Sequence, residues 1–150
     1  MTQRGSLAMA HILVVDDDEL LRVVLSRALT EAGHTISAAA SGRTALESLE
    51  TDAYDLVICD VFMPEMDGFE TLRAVKERVP DLPVVAISAE RRSRPGVPSP
   101  DFLEMAVALG ATAGLRKPLD LKALKALVAR CLAADETSAP DTSRDPSEAG

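Results

Sequence analysis

The chain has 150 residues, enough for one domain with a substantial core. Its formal charge of −8 argues against recognition of nucleic acid through a broad basic surface. Apolar residues make up 47% of the chain, with one Tyr, three Phe and no Trp, so the core must be aliphatic, and no apolar run approaches membrane-spanning length.

The first ten residues, "MTQRGSLAMA", lack the apolar segment of a secretory signal, and residues 1–9 are expected to form a disordered leader. Ile12–Val15 reads as a strand, followed by a helix over 18–32 with Leu21, Val24, Leu25, Ala28 and Leu29 on one stripe and Gly33 at its end. Thr35–Ala39 is a weaker strand. Ser41 caps the next helix, which buries Ala45, Leu46 and Leu49. Leu56–Cys59 is a strand, and after a turn from Pro64 to Gly68 comes a helix carrying Phe69, Leu72, Val75 and Val79. Val84–Ser88 is the fourth strand.

A proline- and arginine-rich loop, "AERRSRPGVPSP", leads to a short helix capped by Asp101, with Phe102, Leu103, Ala106 and Leu109 on one face and Gly110 at its end. Ala113–Arg116 is a poor fifth strand. A last helix over about 120–132 presents Leu121, Leu124, Leu127, Val128 and Cys131. Residues 134–150 carry no apolar periodicity and read as a disordered acidic tail, leaving 10–133 as the ordered domain. Cys59 and Cys131 suggest neither a disulfide framework nor, with His, a metal site, and a reducing cytoplasm fits. His11 and His34 are isolated and read as loop and surface residues.

Five βα units in succession imply an α/β fold: a doubly wound, five-stranded parallel sheet with helices on both faces. The runs "ILVV", "LVIC" and "VVAI" are continuously apolar, as strands covered on both faces should be. The common strand order is 2-1-3-4-5, and its crevice lies beyond the carboxyl ends of the strands, where the order reverses. That order sets the acids ending the first strand, Asp16 and Asp17, opposite Asp60 at the end of the third. At about 5 Å and an effective dielectric near 20, each like-charged pair costs roughly 3 kcal/mol. Such a cluster calls for a cation or a shared proton, and an all-oxygen site suits Mg2+. Ser88 and Lys117 end the fourth and fifth strands at the same rim. Asp18 reads as the cap of the first helix.

The motifs "ILVVDDDELLR", "DLVICDVFMPEMDGFE", "VVAISAE" and "LRKPLD" together resemble the flavodoxin-like receiver domain of two-component response regulators, over about residues 10–133. The resemblance implies that Asp60 accepts a phosphoryl group from a sensor histidine kinase or a histidine phosphotransfer protein. Asp17 and Asp60 would bind Mg2+ directly, Asp16 through water, and the backbone carbonyl of Phe62 would be a further ligand. Ser88 and the backbone N–H of Ala89 would meet phosphoryl oxygens, Lys117 would pair with the acyl phosphate, and Lys117–Pro118 would be cis.

The chain departs from the family pattern at Gly114, where a large, usually aromatic, residue is customary, so an aromatic rotamer switch cannot operate there. The loop over 91–100, with Arg91, Arg92 and Arg94, is long and, together with the following helix, is expected to form a partner surface. Phe62 stands where aspartate-nucleophile phosphohydrolases carry a second Asp, which speaks against that enzyme class. The expectation is a stand-alone phosphoacceptor, not an enzyme in the ordinary sense, that signals to a downstream protein or within a phosphorelay, with no nucleic acid and no membrane among its partners. The competing reading is a phosphorylation-independent binding module on the same fold.

Overall fold

Three continuously apolar runs, in the first, third and fourth strands, suit the interior of a parallel sheet with helices on both of its faces. The computed structural model of the protein, which describes residues 10–61, 68–89 and 102–133, has this architecture. Strands β1 (His11–Val15), β2 (Thr35–Ala39), β3 (Leu56–Asp60), β4 (Val84–Ala89) and β5 (Ala113–Lys117) form one sheet in the order β2-β1-β3-β4-β5, parallel throughout. Helices α1 (Glu19–Glu31), α2 (Gly42–Thr51), α3 (Gly68–Arg78), α4 (Phe102–Ala108) and α5 (121–133) alternate with them.

Strand periodicity sorts the core into two halves. Leu13, Val15, Val57, Cys59, Val84 and Ala86 face one side and pack with Ala45, Leu46, Leu72, Val75 and Ala106 of α2, α3 and α4. Ile12, Val14, Leu56, Ile58, Val85 and Ile87 face the other and meet Leu25 and Leu29 of α1 and Leu124 and Val128 of α5. Each fully buried Leu or Ile contributes about 1.5–3 kcal/mol of apolar transfer energy. Cys59 and Cys131 lie in opposite halves, so the sheet separates them.

The helix ends explain where the observed faces differ from the expected ones. Asp18 caps α1, its carboxylate accepting from Leu20 N (3.0 Å) and Leu21 N (3.3 Å), and Ser41 caps α2 through Thr44 N. At the other end of α1, Gly33 has φ 103°. Gly33 N donates to Thr30 O and His34 N to Leu29 O, the paired bonds of a left-handed helix stop. The same device ends α4, where Gly110 has φ 118° and Ala111 N reaches Ala106 O. Each stop folds the next residue back under the helix, so Ala111 and His34 are buried. His34 is therefore not the surface residue the sequence suggested.

His11 is a β1 residue, not a loop residue. Its ring bonds Ala53 O and Ser37 Oγ and lies 4.2 Å from the Tyr54 ring. Val24, Val79 and Leu109, expected on buried faces, are exposed by about 36–39%; Val79 and Leu109 fall beyond the last residues of α3 and α4. The expected disordered segments 1–9 and 134–150, the Asp101 cap, the 91–100 loop and Phe62 lie outside the described residues.

Among the described residues no helix is long and apolar enough to cross a membrane. Gly68 closes the β3–α3 connection, with its N–H donating to Val61 O at 3.1 Å. A Cβ at this position would land on the Asp60 carbonyl oxygen and the Val61 backbone.

Two consequences are measurable. Gly68→Ala must push backbone aside, which costs roughly 2 kcal/mol and lowers Tm by about 5 °C for a domain of this size; an unchanged Tm would contradict the close approach. His34 has its pKa lowered by burial, against the attraction of Asp55, and its Nδ1 has no hydrogen-bond partner among the described residues. As pH falls through the unfolded-state value of 6.5, the unfolded chain takes up a proton that the folded chain refuses. Stability is therefore full above that pH and declines below it. Urea titrations at pH 7.5 and 5.5 should show a smaller loss in His34→Gln than in wild type.

Candidate functional site

The parity that sorts the core also aims the polar strand ends. Asp16 continues the Ile12, Val14 series and Asp60 the Leu56, Ile58 series. Lys117 continues that of Ala113 and Leu115, which pack against the same core half. All three side chains therefore leave the sheet on the α1–α5 side. β1 and β3 are neighbours because the strand order reverses between them, so their terminal acids meet.

The carboxylates of Asp16, Asp17 and Asp60 each offer an oxygen within 4.8 Å of the others. Asp16 and Asp60 are buried, at 1% and 3% exposure, and Asp17 is exposed, so the cup has two inner acids and one at its lip. Lys117 reaches in from β5 and donates to Asp60 Oδ2 at 3.1 Å. It also lies 3.3 Å from Asp16 Oδ2. That distance gives Coulomb attraction, and beyond this ion pair the buried Asp16 Oδ2 has no hydrogen-bond partner among the described residues.

Asp16 is held on every other side. Its N–H donates to Ala39 O at 3.1 Å, its Oδ1 accepts from Asp18 N at 2.9 Å, and its carbonyl accepts from Arg22 Nη1 at 2.8 Å. Burial raises the pKa of the Asp16 carboxyl; the Asp18 N–H opposes the shift, Asp60 adds to it, and Lys117 opposes it. Burial by itself would lower the Lys117 pKa. The hydrogen bond and charge of Asp60, followed by Asp16, outweigh that effect and the net shift is upward, which keeps the ammonium charged.

Three carboxylates that each turn an oxygen to one hollow, the buried Asp16 Oδ2 among them with no hydrogen-bond partner in the described residues, match the preferences of Mg2+, which takes few carboxylates and keeps waters. The residues present fit that ion.

Ser88 is at the same rim and buried. Parity assigns it to the opposite face, with Val84 and Ala86, and its hydroxyl donates to Ala89 O at 3.2 Å. Ala89 sits at the exposed end of β4, paired in register with Lys117. The structure thus brings Asp16, Asp17, Asp60 and Lys117 together, while the Ser88 hydroxyl is engaged with its neighbour's carbonyl. The Lys117–Pro118 peptide is cis, as the resemblance implied. At Gly114 a Cβ would come within 2.9 Å of Leu103 Cδ2, so α4 occupies the space that a side chain on β5 would need.

Sequence reasoning missed Arg22. A signal existed: a cation one turn into a helix opposes the macrodipole and calls for another reason to be there.

Residues 12–129 match the family described as the response regulator receiver domain. The transcriptional regulatory protein ZraR of Escherichia coli K12 is 39% identical over 122 residues, 81% of this chain and 26% of that protein. The DNA-binding transcriptional regulator NtrC of Rhizobium meliloti is 35% identical over 83% of this chain and 24% of its own. The chain thus spans about a quarter of the length of these relatives. Among solved structures, the chemotaxis protein CheY4 of Vibrio cholerae superposes with a TM-score of 0.72 at 33% identity, over 83% of this chain and 99% of that one. The receiver domain of NtrX from Brucella abortus gives 0.72 at 29% identity, over 81% and 98%. With five parallel strands in this order and the acidic cup at the switch point, the chain belongs to the response regulator receiver domains of two-component systems, a family in which phosphorylation on aspartate and Mg2+ binding are typical.

Proposed function

We propose that this protein accepts a phosphoryl group on Asp60 from the phosphohistidine of a sensor kinase or phosphotransfer protein. The observation that carries the reading is the Lys117 ammonium, 3.1 Å from Asp60 Oδ2 and 3.3 Å from Asp16 Oδ2, inside a cup of three carboxylates. An ionised Asp60 oxygen attacks phosphorus, the P–N bond breaks, its electron pair stays on the donor imidazole, and Asp60 carries an acyl phosphate. No general base is required, because the nucleophile is already deprotonated; catalysis is alignment and neutralisation of charge on the transferring group.

Lys117 gives up its bond to the Asp60 carboxylate and pairs with a phosphoryl oxygen. Ser88 turns its hydroxyl from Ala89 O to a second oxygen, and the Ala89 N–H meets another. Asp17 and Asp60 would hold Mg2+ and Asp16 would act through water, and the Phe62 carbonyl would add a ligand on the motif alone. When bound, Mg2+ supplies positive charge to the phosphoryl oxygens.

The net charge of −8 favours output through protein contact or onward phosphotransfer over direct binding to nucleic acid, as a stand-alone phosphoacceptor would act. Two cysteines kept apart in separate core halves suit a reducing cytoplasm.

Incubation with a small phosphodonor such as acetyl phosphate should load one phosphoryl group onto wild type with Mg2+ and none in EDTA. Asp60→Ala should stay unlabelled, and Lys117→Ala should be slowed by about 100-fold, the order of loss when one charge-stabilising donor is removed. Equal labelling of Asp60→Ala would overturn the assignment. A wild type that neither small donors nor histidine kinases label would favour the phosphorylation-independent binding module.

A further inference from the structure

We propose that Arg22 is a positioning residue for the metal cup, acting through the peptide that joins Asp16 to Asp17. This inference rests on the reading of the cup as a Mg2+ site. Arg22 lies one turn into α1, and its guanidinium turns back past the helix start to donate to the Asp16 carbonyl at 2.8 Å. Among the described residues this is the guanidinium's one hydrogen bond, and the side chain makes no ion pair there. Asp16 lies just past the end of β1, where regular strand pairing no longer dictates the orientation of the next peptide plane.

That plane carries the Asp16 carbonyl on one side and leads to Asp17 on the other. Fixing the carbonyl fixes the direction in which Asp17, the exposed acid of the three, leaves the chain. Asp16 has three anchors of its own, at Ala39 O, Asp18 N and Lys117. Arg22 is the link that passes rigidity from α1 into the junction between the two acids. Groups that orient metal ligands in this way typically account for 10–100-fold in affinity. The helix gains nothing from a cation at this position, since it opposes the N-terminal dipole.

The test is Mg2+ binding to the full chain by calorimetry, because the protein has no Trp to report by fluorescence, with the metal-free Tm measured alongside. Arg22→Met and Arg22→Gln keep good helix formers but cannot reach the carbonyl. Arg22→Lys can reach it with one donor. Arg27→Met removes the same charge from an exposed position on the same helix.

Positioning predicts that Arg22→Met and Arg22→Gln weaken Mg2+ binding about tenfold, that Arg22→Lys binds within about threefold of wild type, and that Arg27→Met binds as wild type does. If Arg22→Met and Arg22→Gln bind Mg2+ as wild type does, or if Arg27→Met loses as much as they do, the positioning role is overturned while the metal site stands. If wild type itself binds no Mg2+, the site reading falls, and this inference with it.

Discussion

Two buried carboxylates and one ammonium at the mouth of a parallel sheet set the conditions for everything else in this molecule. Asp16 and Asp60 are forced together by the neighbouring of β1 and β3, at a place where water is scarce and like charges repel strongly. Lys117 relieves part of that repulsion. Three carboxylates, when ionised, against one ammonium leave two negative charges, which a divalent cation at the exposed Asp17 side can balance. The fold holds this imbalance at its rim, where the family typically binds Mg2+ and is phosphorylated on aspartate.

The scaffold makes the arrangement rigid. Parity along three strands aims Asp16, Asp60 and Lys117 to one side of the sheet, and two aliphatic core halves hold those strands in register. Gly68 brings α3 down against the last residues of β3, so the backbone behind Asp60 has little room to move. Arg22 ties α1 to the Asp16–Asp17 peptide. Ser88, on the opposite face of the sheet, donates its hydroxyl to the carbonyl of Ala89. On β5, Gly114 leaves its space to Leu103 of α4, so no side chain of that strand fills this position.

Much of this was legible in the linear sequence because the signals were redundant. The doubly apolar runs, the alternation with helical repeats, and the acids and lysine that ended each run all pointed to one parallel sheet with a polar rim. The caps at Asp18 and Ser41 were readable because short polar side chains before an apolar repeat have few other uses. The third, fourth and fifth strands run one residue further than the sequence indicates, to Asp60, Ala89 and Lys117; at Asp60 and Lys117 polarity does not end pairing, and the ladder continues into the site. His34 was misplaced because a glycine stop folds the residue after it inward, and nothing in the residue type announces that. Arg22 was hidden because its partner is a backbone carbonyl, which no side-chain motif reveals.

The most direct test of a shared metal hollow is a crystal soaked in Mn2+, a Mg2+ surrogate visible by anomalous scattering. The account predicts one strong anomalous peak about 2–2.4 Å from carboxylate oxygens of both Asp17 and Asp60. A peak elsewhere on the protein, or none at these residues at saturating Mn2+, would contradict it.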